Sequence, residues 1–459
     1  MTIGKLSDNV LLKIFRYYLD ASPRLWPRLV KICRKWRHIV FASQQALHLR
    51  LFCTPGTPVL KTLDYWPTLP IVVNFGGSPA LDPPAPEDED DITAALKQSG
   101  RVSSISLTVT STLLEKLSAI EGPFSKLEDF VLLSRDSVQL TLPNTFRWGP
   151  RLRSLHLTRI AFPVLPLLLY SSRNLVDLQL HEVLNIWHVS PSMLVITLSG
   201  MAQLQSLSLH FLSTTDHITF PIPSGERSIL PALTRLNLRG TNAYLESLVA
   251  GIDAPGIRDI GITFFDMYVL DISKLREFID RIEIQKSHLR ADILSSKRVI
   301  SISLTRPGAS TRLKLQVLCQ TLRSWSLFIN LICRHFSAFL FRVEDLRIST
   351  ARPSGVQDDS NCEQWLGLIR RFGGAKWFHV AGDHSTNVVR ALQLSVERRE
   401  IVLPALHKLC IREPEPRDAL LREAVVPFMH SWRISGRFIA VEYERLRISE
   451  LRGAGTTHE

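Results

Sequence analysis

The sequence has 459 residues, 45% hydrophobic and 21% charged, proportions that suit a chain with a buried core and exclude wholesale disorder, a collagen-like fibre and a disulfide-rich mini-protein. Its six cysteines form no CxxC pair, so neither a zinc knuckle nor a redox dithiol is written here. The net charge of +12 is uneven: residues 1–60 hold 10 Lys/Arg against 2 Asp/Glu, residues 61–280 hold 17 against 23, and residues 281–459 hold 28 against 18. A basic head, an acidic middle and a basic tail could serve a nucleic-acid partner, but no aromatic–basic motif accompanies the charge, and this reading sets nucleic acid aside.

Along residues 1–20, Lys5, Asp8, Lys13, Arg16 and Asp20 interrupt any apolar run of the kind a secretory leader needs. The scattered cysteines fit a reducing compartment, and the expected location is cytoplasmic or nuclear. Apolar residues at Leu6, Val10, Leu11, Ile14, Phe15 and Leu19 make a helical stripe, with Ser7 or Asp8 placed to cap its first turn. Ser22 and Pro23 break it. A second stripe runs through Leu25, Leu29, Ile32, Cys33, Trp36, Ile39 and Val40, with Pro27 in its first turn and Arg28, Lys31, Arg34, Lys35 and Arg37 on the outer face. So short a head buries too little surface to be stable alone and should want a partner against its apolar side.

Residues 76–91 read GGSPALDPPAPEDEDD. Proline, glycine and the acids Glu87 to Asp91 cannot form a core, so this stretch is expected to be a solvated spacer. From there on one pattern dominates: apolar-x-x-apolar-x-apolar. It occurs at Val102/Ile105/Leu107, Leu127/Phe130/Leu132, Leu152/Leu155/Leu157, Leu175/Leu178/Leu180, Leu204/Leu207/Leu209, Leu233/Leu236/Leu238 and Ile257/Ile260/Ile262, at intervals of 25, 25, 23, 29, 29 and 24 residues. Weaker copies follow at Val299/Ile302/Leu304, Phe378/Val380, Val343/Leu346/Ile348 and Leu406/Leu409/Ile411. The last two apolar positions of each copy alternate along a short strand and point inward. One such copy cannot bury its own face, so the copies must stack. Residues 245–252 and 270–284 read as convex-side helices. Residues 160–170 and 325–341 are apolar but fail as membrane spans: the first is short and holds Pro163 and Pro166, and the second encloses Arg334 and His335 and reads as a buried or amphipathic helix. A helix over 417–432, a closing strand over 437–446 and a disordered end over 453–459 complete the chain.

The outward strand positions are polar. His156, Arg159, Gln179, His181, His210, Arg235 and Arg239 are the candidate target-binding residues. The three histidines invite a metal or pH-sensing reading, but half-exposed strands tolerate histidine, and mixed polarity suits a protein-binding face better. No GxGxxG, GxSxG or HExxH occurs, and the His379/Asp383/His384 cluster reads most simply as a loop after a strand. The chain is read as non-catalytic, with no cofactor and no metal.

Two resemblances follow from these residues. The head, with Leu6, Ile14-Phe15, then Leu29-Val30-Lys31-Ile32-Cys33-Arg34-Lys35-Trp36-Arg37, resembles the F-box, although Ser7 replaces the usual proline and Asn9 an acidic residue. The LxxLxL pattern at intervals of 23–29 residues resembles leucine-rich repeats, and residues 49–58 with Trp66-Pro67 look like the F-box proteins abundant in mushroom-forming fungi. The resemblance implies an α/β protein: an F-box over 1–50, a Pro/Gly-rich acidic linker region over 51–100, an irregular leucine-rich-repeat solenoid with short parallel strands on its concave face over 101–415, and a cap with a tail over 416–459. It further implies a substrate-recognition subunit of a cullin–RING ubiquitin ligase. Its head would dock a Skp-type adaptor through Leu6, Leu11, Ile14, Phe15, Val30, Cys33 and Trp36. Its repeats would hold an unidentified protein target. The alternative is a protein-binding scaffold outside any ligase.

Overall fold

In the computed structural model, the residues described are 6–55, 59–63, 66, 68–76, 85–120, 122–136, 140–142, 146–161, 165, 169–170, 172–183, 190–211, 227–265, 271–282, 289–296, 299–306, 308, 312–318, 328, 334–337, 339–350, 362–382, 385–413, 419–434 and 439–445. Asp383, His384, most of the apolar stretches at 160–170 and 325–341, and the chain end at 453–459 lie outside them. The fold is mixed α/β, and the chain divides into two units, Met1–Val189 with Gly200–Leu204, and Ser190–Ser199 with Gln205–Glu459. Among the described residues no helix is long and apolar enough to cross a membrane.

The first unit opens with helix α1, Asp8–Ala21. Ser7 occupies the capping position, but its hydroxyl makes no cap; its carbonyl instead accepts from the Val10 and Leu11 N–H groups at 3.1 and 3.0 Å. Leu11, Phe15 and Leu19 recur every four residues and are buried. The second apolar stripe does not form one helix. It splits into α2, Trp26–Ile32, and α3, Arg34–Ala42, because Cys33 is extended (φ −159°, ψ 169°) and its sulfur accepts from the Trp36 N–H, capping α3. The Phe15 and Trp36 rings pack with centroids 4.7 Å apart.

The head joins the rest of its unit through aromatic rings. Trp26 lies 5.3 Å from Trp66 and 6.4 Å from Phe41, Phe41 lies 4.8 Å from Trp66, and the Trp26 indole N–H donates to the Arg50 carbonyl at 2.8 Å.

Within residues 51–100, expected as a linker, two segments are strands of the sheet and a third is a helix. Strand β1, Leu51–Cys53, pairs in parallel with β2, Ile71–Phe75, which pairs with β3, Val102–Val109. The acidic run begins helix α4, Pro86–Lys97. The reason is physical: proline is tolerated in a first turn, carboxylates are favoured near a helix N-terminus, and Ile92, Ala95 and Leu96 supply a buried face that the charge run conceals. The parallel series continues through β4, Asp129–Ser134, β5, Ser154–Thr158, and β6, Asp177–Val183.

The second unit begins its series with β7, Ser206–Phe211, β8, Arg235–Gly240, and β9, Asp259–Phe264, all parallel. Here the parallel series is interrupted. The Val299 copy is not a parallel repeat strand. β10, Leu289–Ser295, β11, Val299–Thr305, and β12, Arg312–Leu318, form an antiparallel trio in which β12 pairs with β9. The turn from β10 to β11 is far too short for the crossover that parallel strands need, and Ser296 closes it by hydrogen-bonding Val299 three times. Parallel pairing resumes from β10 to β13, Val343–Thr350, β14, Trp377–Ala381, β15, Lys408–Glu413, and β16, Ala440–Arg445. The helices Asn242–Ala250, Ser273–Arg281 and Ala419–Ile434 fall where the pattern placed them.

Register turns the repeated pattern into columns. Ile105, Phe130, Leu155 and Leu178 align across the first unit, as do Leu107, Leu132, Leu157 and Leu180. All are buried, each burial contributing about 1.5–3 kcal/mol. Backbone bonds tie successive copies together at the start of the strands. One carbonyl accepts two successive N–H groups of the next copy: Glu128 from Arg153 and Ser154, Arg153 from Val176 and Asp177, Thr234 from Arg258 and Asp259, and Lys376 from His407 and Lys408.

Candidate functional site

The residues singled out for target binding fall on the half-exposed strand faces, in two clusters, one in each unit. In the first unit, β5 and β6 bring together Ser154 with Asp177, His156 with Gln179, and Thr158 with His181. The His156 Nε2 lies 2.8 Å from Asp177 Oδ2 and 3.2 Å from the Ser154 hydroxyl, and the Gln179 amide donates to the same Asp177 oxygen at 3.0 Å. Serine, histidine and aspartate in contact suggest nucleophilic chemistry, but both partners converge on one ring nitrogen. A relay needs the acid on one nitrogen and the hydroxyl on the other. When Nε2 donates to Asp177 it cannot accept from Ser154, so the arrangement orders the surface and activates no nucleophile. Burial, reinforced by His156, holds His181 below the usual imidazole range.

Arg159 and Glu182 end these strands. Both have left-handed backbone, φ 58° and 55°, which costs an L-residue about 1–3 kcal/mol. They form an ion pair with each other, and the Arg159 N–H donates to the His181 carbonyl at 2.9 Å. Four of the predicted residues, His156, Arg159, Gln179 and His181, are thus held in one patch. At the start of the same strands, Glu128, Arg151, Arg153, Asn174, Val176 and Gln203 line an open cleft of about 340 Å³.

In the second unit, register sets His210 beside Arg239, and Arg235 beside Ser206. The His210 ring lies 3.4 Å from the Ser208 hydroxyl. Arg239 lays its guanidinium 5.5 Å above the Phe265 ring. Farther along, Asp345 on β13 is flanked by Arg290 at 2.8 Å, Arg347 at 3.3 Å and the His379 ring at 3.6 Å. Burial pushes the neighbouring Asp292 carboxyl up. Sequence reasoning named neither Arg290 nor Asp292 as part of this face. Their strand shows no LxxLxL motif, and the alternation of Ala291 and Ile293 is its only signal.

The predicted docking residues of the head divide. Leu11, Phe15, Val30 and Trp36 are core; they shape the head and have no surface to offer. Leu6 is half-buried and Cys33 exposed. Ile14 is 42% exposed, and with Val10 at 43% and Tyr17 at 80% it forms a stripe along the outer face of α1. Ile32, at 57%, is exposed on α2. Val10, Tyr17 and Ile32 were not predicted as contacts; the spacing i, i+4, i+7 was the signal available. Around them Arg28, Lys31, Arg34, Lys35 and Arg37 are exposed, with Lys35 paired to Asp8 at 3.2 Å.

Among the described residues no group of three or more His, Cys, Asp or Glu is placed to hold a metal ion. No family model matches the chain, and no curated protein matches it. Among solved structures, it is similar to a leucine-rich repeat-containing protein, LegL7, from Legionella pneumophila, at 12% identity and a TM-score of 0.30, covering 83% of this chain and 98% of that one. A likeness at that score carries no argument about function.

Proposed function

We propose that this chain is a non-catalytic receptor: a leucine-rich-repeat protein whose polar strand faces hold a protein target and whose F-box-like head docks a Skp-type adaptor, bringing the target to a cullin–RING ubiquitin ligase. The observation that carries the reading is the division of apolar residues on α1. Leu11, Phe15 and Leu19 fill the head, while Val10, Ile14 and Tyr17 face outward as a separate stripe. Contiguous exposed apolar surface with a polar rim is the mark of an interaction site, and the cations around it favour an acidic partner. Such a receptor does no chemistry; it raises the concentration of the target near the transferring enzyme. The reducing compartment expected from the cysteines agrees with this role.

The test is co-expression with a Skp-type adaptor and gel filtration. A stoichiometric complex supports the reading, and a folded chain that elutes alone rejects it.

A second reading has its own observation. The Trp26, Phe41 and Trp66 rings tie the head to the first strands, as expected of a cap that seals an array in a scaffold with no ligase role. Under that reading adaptor capture fails, while removal of residues 1–50 makes the remainder aggregate.

A further inference from the structure

On the second unit the outward positions of β8, β9 and β12 form a grid fixed by register. Arg235, Asp259 and Arg312 lie side by side, then Asn237, Gly261 and Lys314, then Arg239, Thr263 and Gln316. Neighbouring strands stand about 4.8 Å apart, so the flanking residues of each row face one another across about 10 Å. The centre is a glycine. A Cβ there would come within 2.9 Å of the Asn237 side-chain oxygen, so glycine leaves room for the Asn237 amide at the centre of the grid. Four cations surround it, against the single carboxylate of Asp259.

These cations are not consumed by the fold. Arg235, Arg239, Arg312 and Lys314 have no carboxylate within salt-bridge distance among the described residues. Among the described residues the Arg312 side chain donates to the Ser303 hydroxyl, at 3.3 Å. The buried Nε of Arg239 has no hydrogen-bond partner. Burial and the nearby Arg312 push Lys314 down, the direction expected of a cation short of counter-charge. Asn237, Thr263 and Gln316 add amide and hydroxyl groups on the same rows, with Thr263 and Gln316 joined at 3.2 Å.

We propose that the surface patch around Gly261 is a binding seat for a single compact oxyanion, a phosphate or carboxylate group, held by Arg235, Arg239, Arg312 and Lys314. A discrete anion fits better than a nucleic-acid strand. The flanking strands present Ser206, Ser208 and His210 on one side and Ser301, Ser303 and Thr305 on the other, so the cationic surface ends after one strand spacing in each direction and offers no track for successive phosphates. Guanidinium forks suit planar and tetrahedral oxyanions alike. The seat rests on second-unit residues alone and is independent of adaptor docking by the head.

The experiment is equilibrium dialysis of the full chain against radiolabelled inorganic phosphate at low ionic strength, with sulfate and acetate as competitors. The expected result is saturable binding of one phosphate per chain. The Lys314→Gln/Arg239→Gln variant weakens it about tenfold or more, and Gly261→Ala weakens it by displacing the Asn237 amide, both with unchanged melting temperature. Competition by sulfate alone identifies a tetrahedral ligand, and equal competition by acetate a carboxylate. Absence of saturable binding overturns the proposal, as does binding that survives both variants. A Gly261→Ala chain that melts early leaves the decision to the polar variant, whose side chains are half-exposed.

Discussion

Ile14 and Phe15 are neighbours in sequence and opposites in role. The Phe15 ring is fully buried against Trp36, so Phe15→Ala should cost about 3–5 kcal/mol and melt the head whatever it binds. Ile14→Ala removes a half-exposed side chain and should change stability by less than about 1 kcal/mol; thermal unfolding of the two single variants checks this. Glu246 offers a different test. Its carboxylate, on the helix Asn242–Ala250, accepts from the Lys274 and Leu275 N–H groups at 2.8 and 2.9 Å. It therefore caps the helix Ser273–Arg281, whose own Ile272 has no capping side chain. Burial pushes its pKa up from 4.5 to about 7. Because the folded value is raised, its contribution to stability is fully present below 4.5 and is lost as pH rises through about 7. Melting curves across that window should show the native chain losing ground to Glu246→Gln as pH rises, by on the order of 3 kcal/mol. Parallel curves for the two proteins would refute the assignment.

At the level of elements, the repeated strands were legible because two alternating apolar residues behind a third mark a buried face. Direction was not legible: alternation reads the same in parallel and antiparallel strands, and only the short turn at Ser296 separates β11 from its neighbours. β12 escaped notice although Leu313, Leu315 and Val317 alternate plainly, because it lacks the leading apolar residue of the motif. Helix α4 was hidden by its acids, which are favourable at that end of a helix. The contact between His156 and Asp177 depends on register between copies, and sequence intervals do not reveal register. The aromatic joint at Trp26 makes an elemental prediction. Trp26→Ala loses two ring contacts and the bond to Arg50, at a cost of about 3–5 kcal/mol, and should expose the peptide bonds of residues 43–50 to proteolysis. Cleavage no faster than in the native chain would show that the joint holds nothing.

Over the whole molecule, charge follows the two units more closely than the sequence thirds suggested. The strand face of the first unit presents Asp129, Asp177 and Glu182 against Arg159, while that of the second gathers Arg235, Arg239, Arg312 and Lys314 around Asp259 and, farther along, sets Arg290 and Arg347 against Asp292 and Asp345. A target that uses both faces would need regions of opposite charge, and its affinity should fall as salt rises. The basic head adds a third surface, and the receptor account depends on it most. The decisive measurement is the affinity of a Skp-type adaptor, by calorimetry, for the native chain and for Ile14→Ala/Tyr17→Ala, with melting temperatures determined alongside. The account predicts at least about a hundredfold loss of affinity, of the size expected when central apolar anchors are removed, with unchanged melting temperature. Equal affinity of the two proteins, or no binding by a folded native chain, would contradict it.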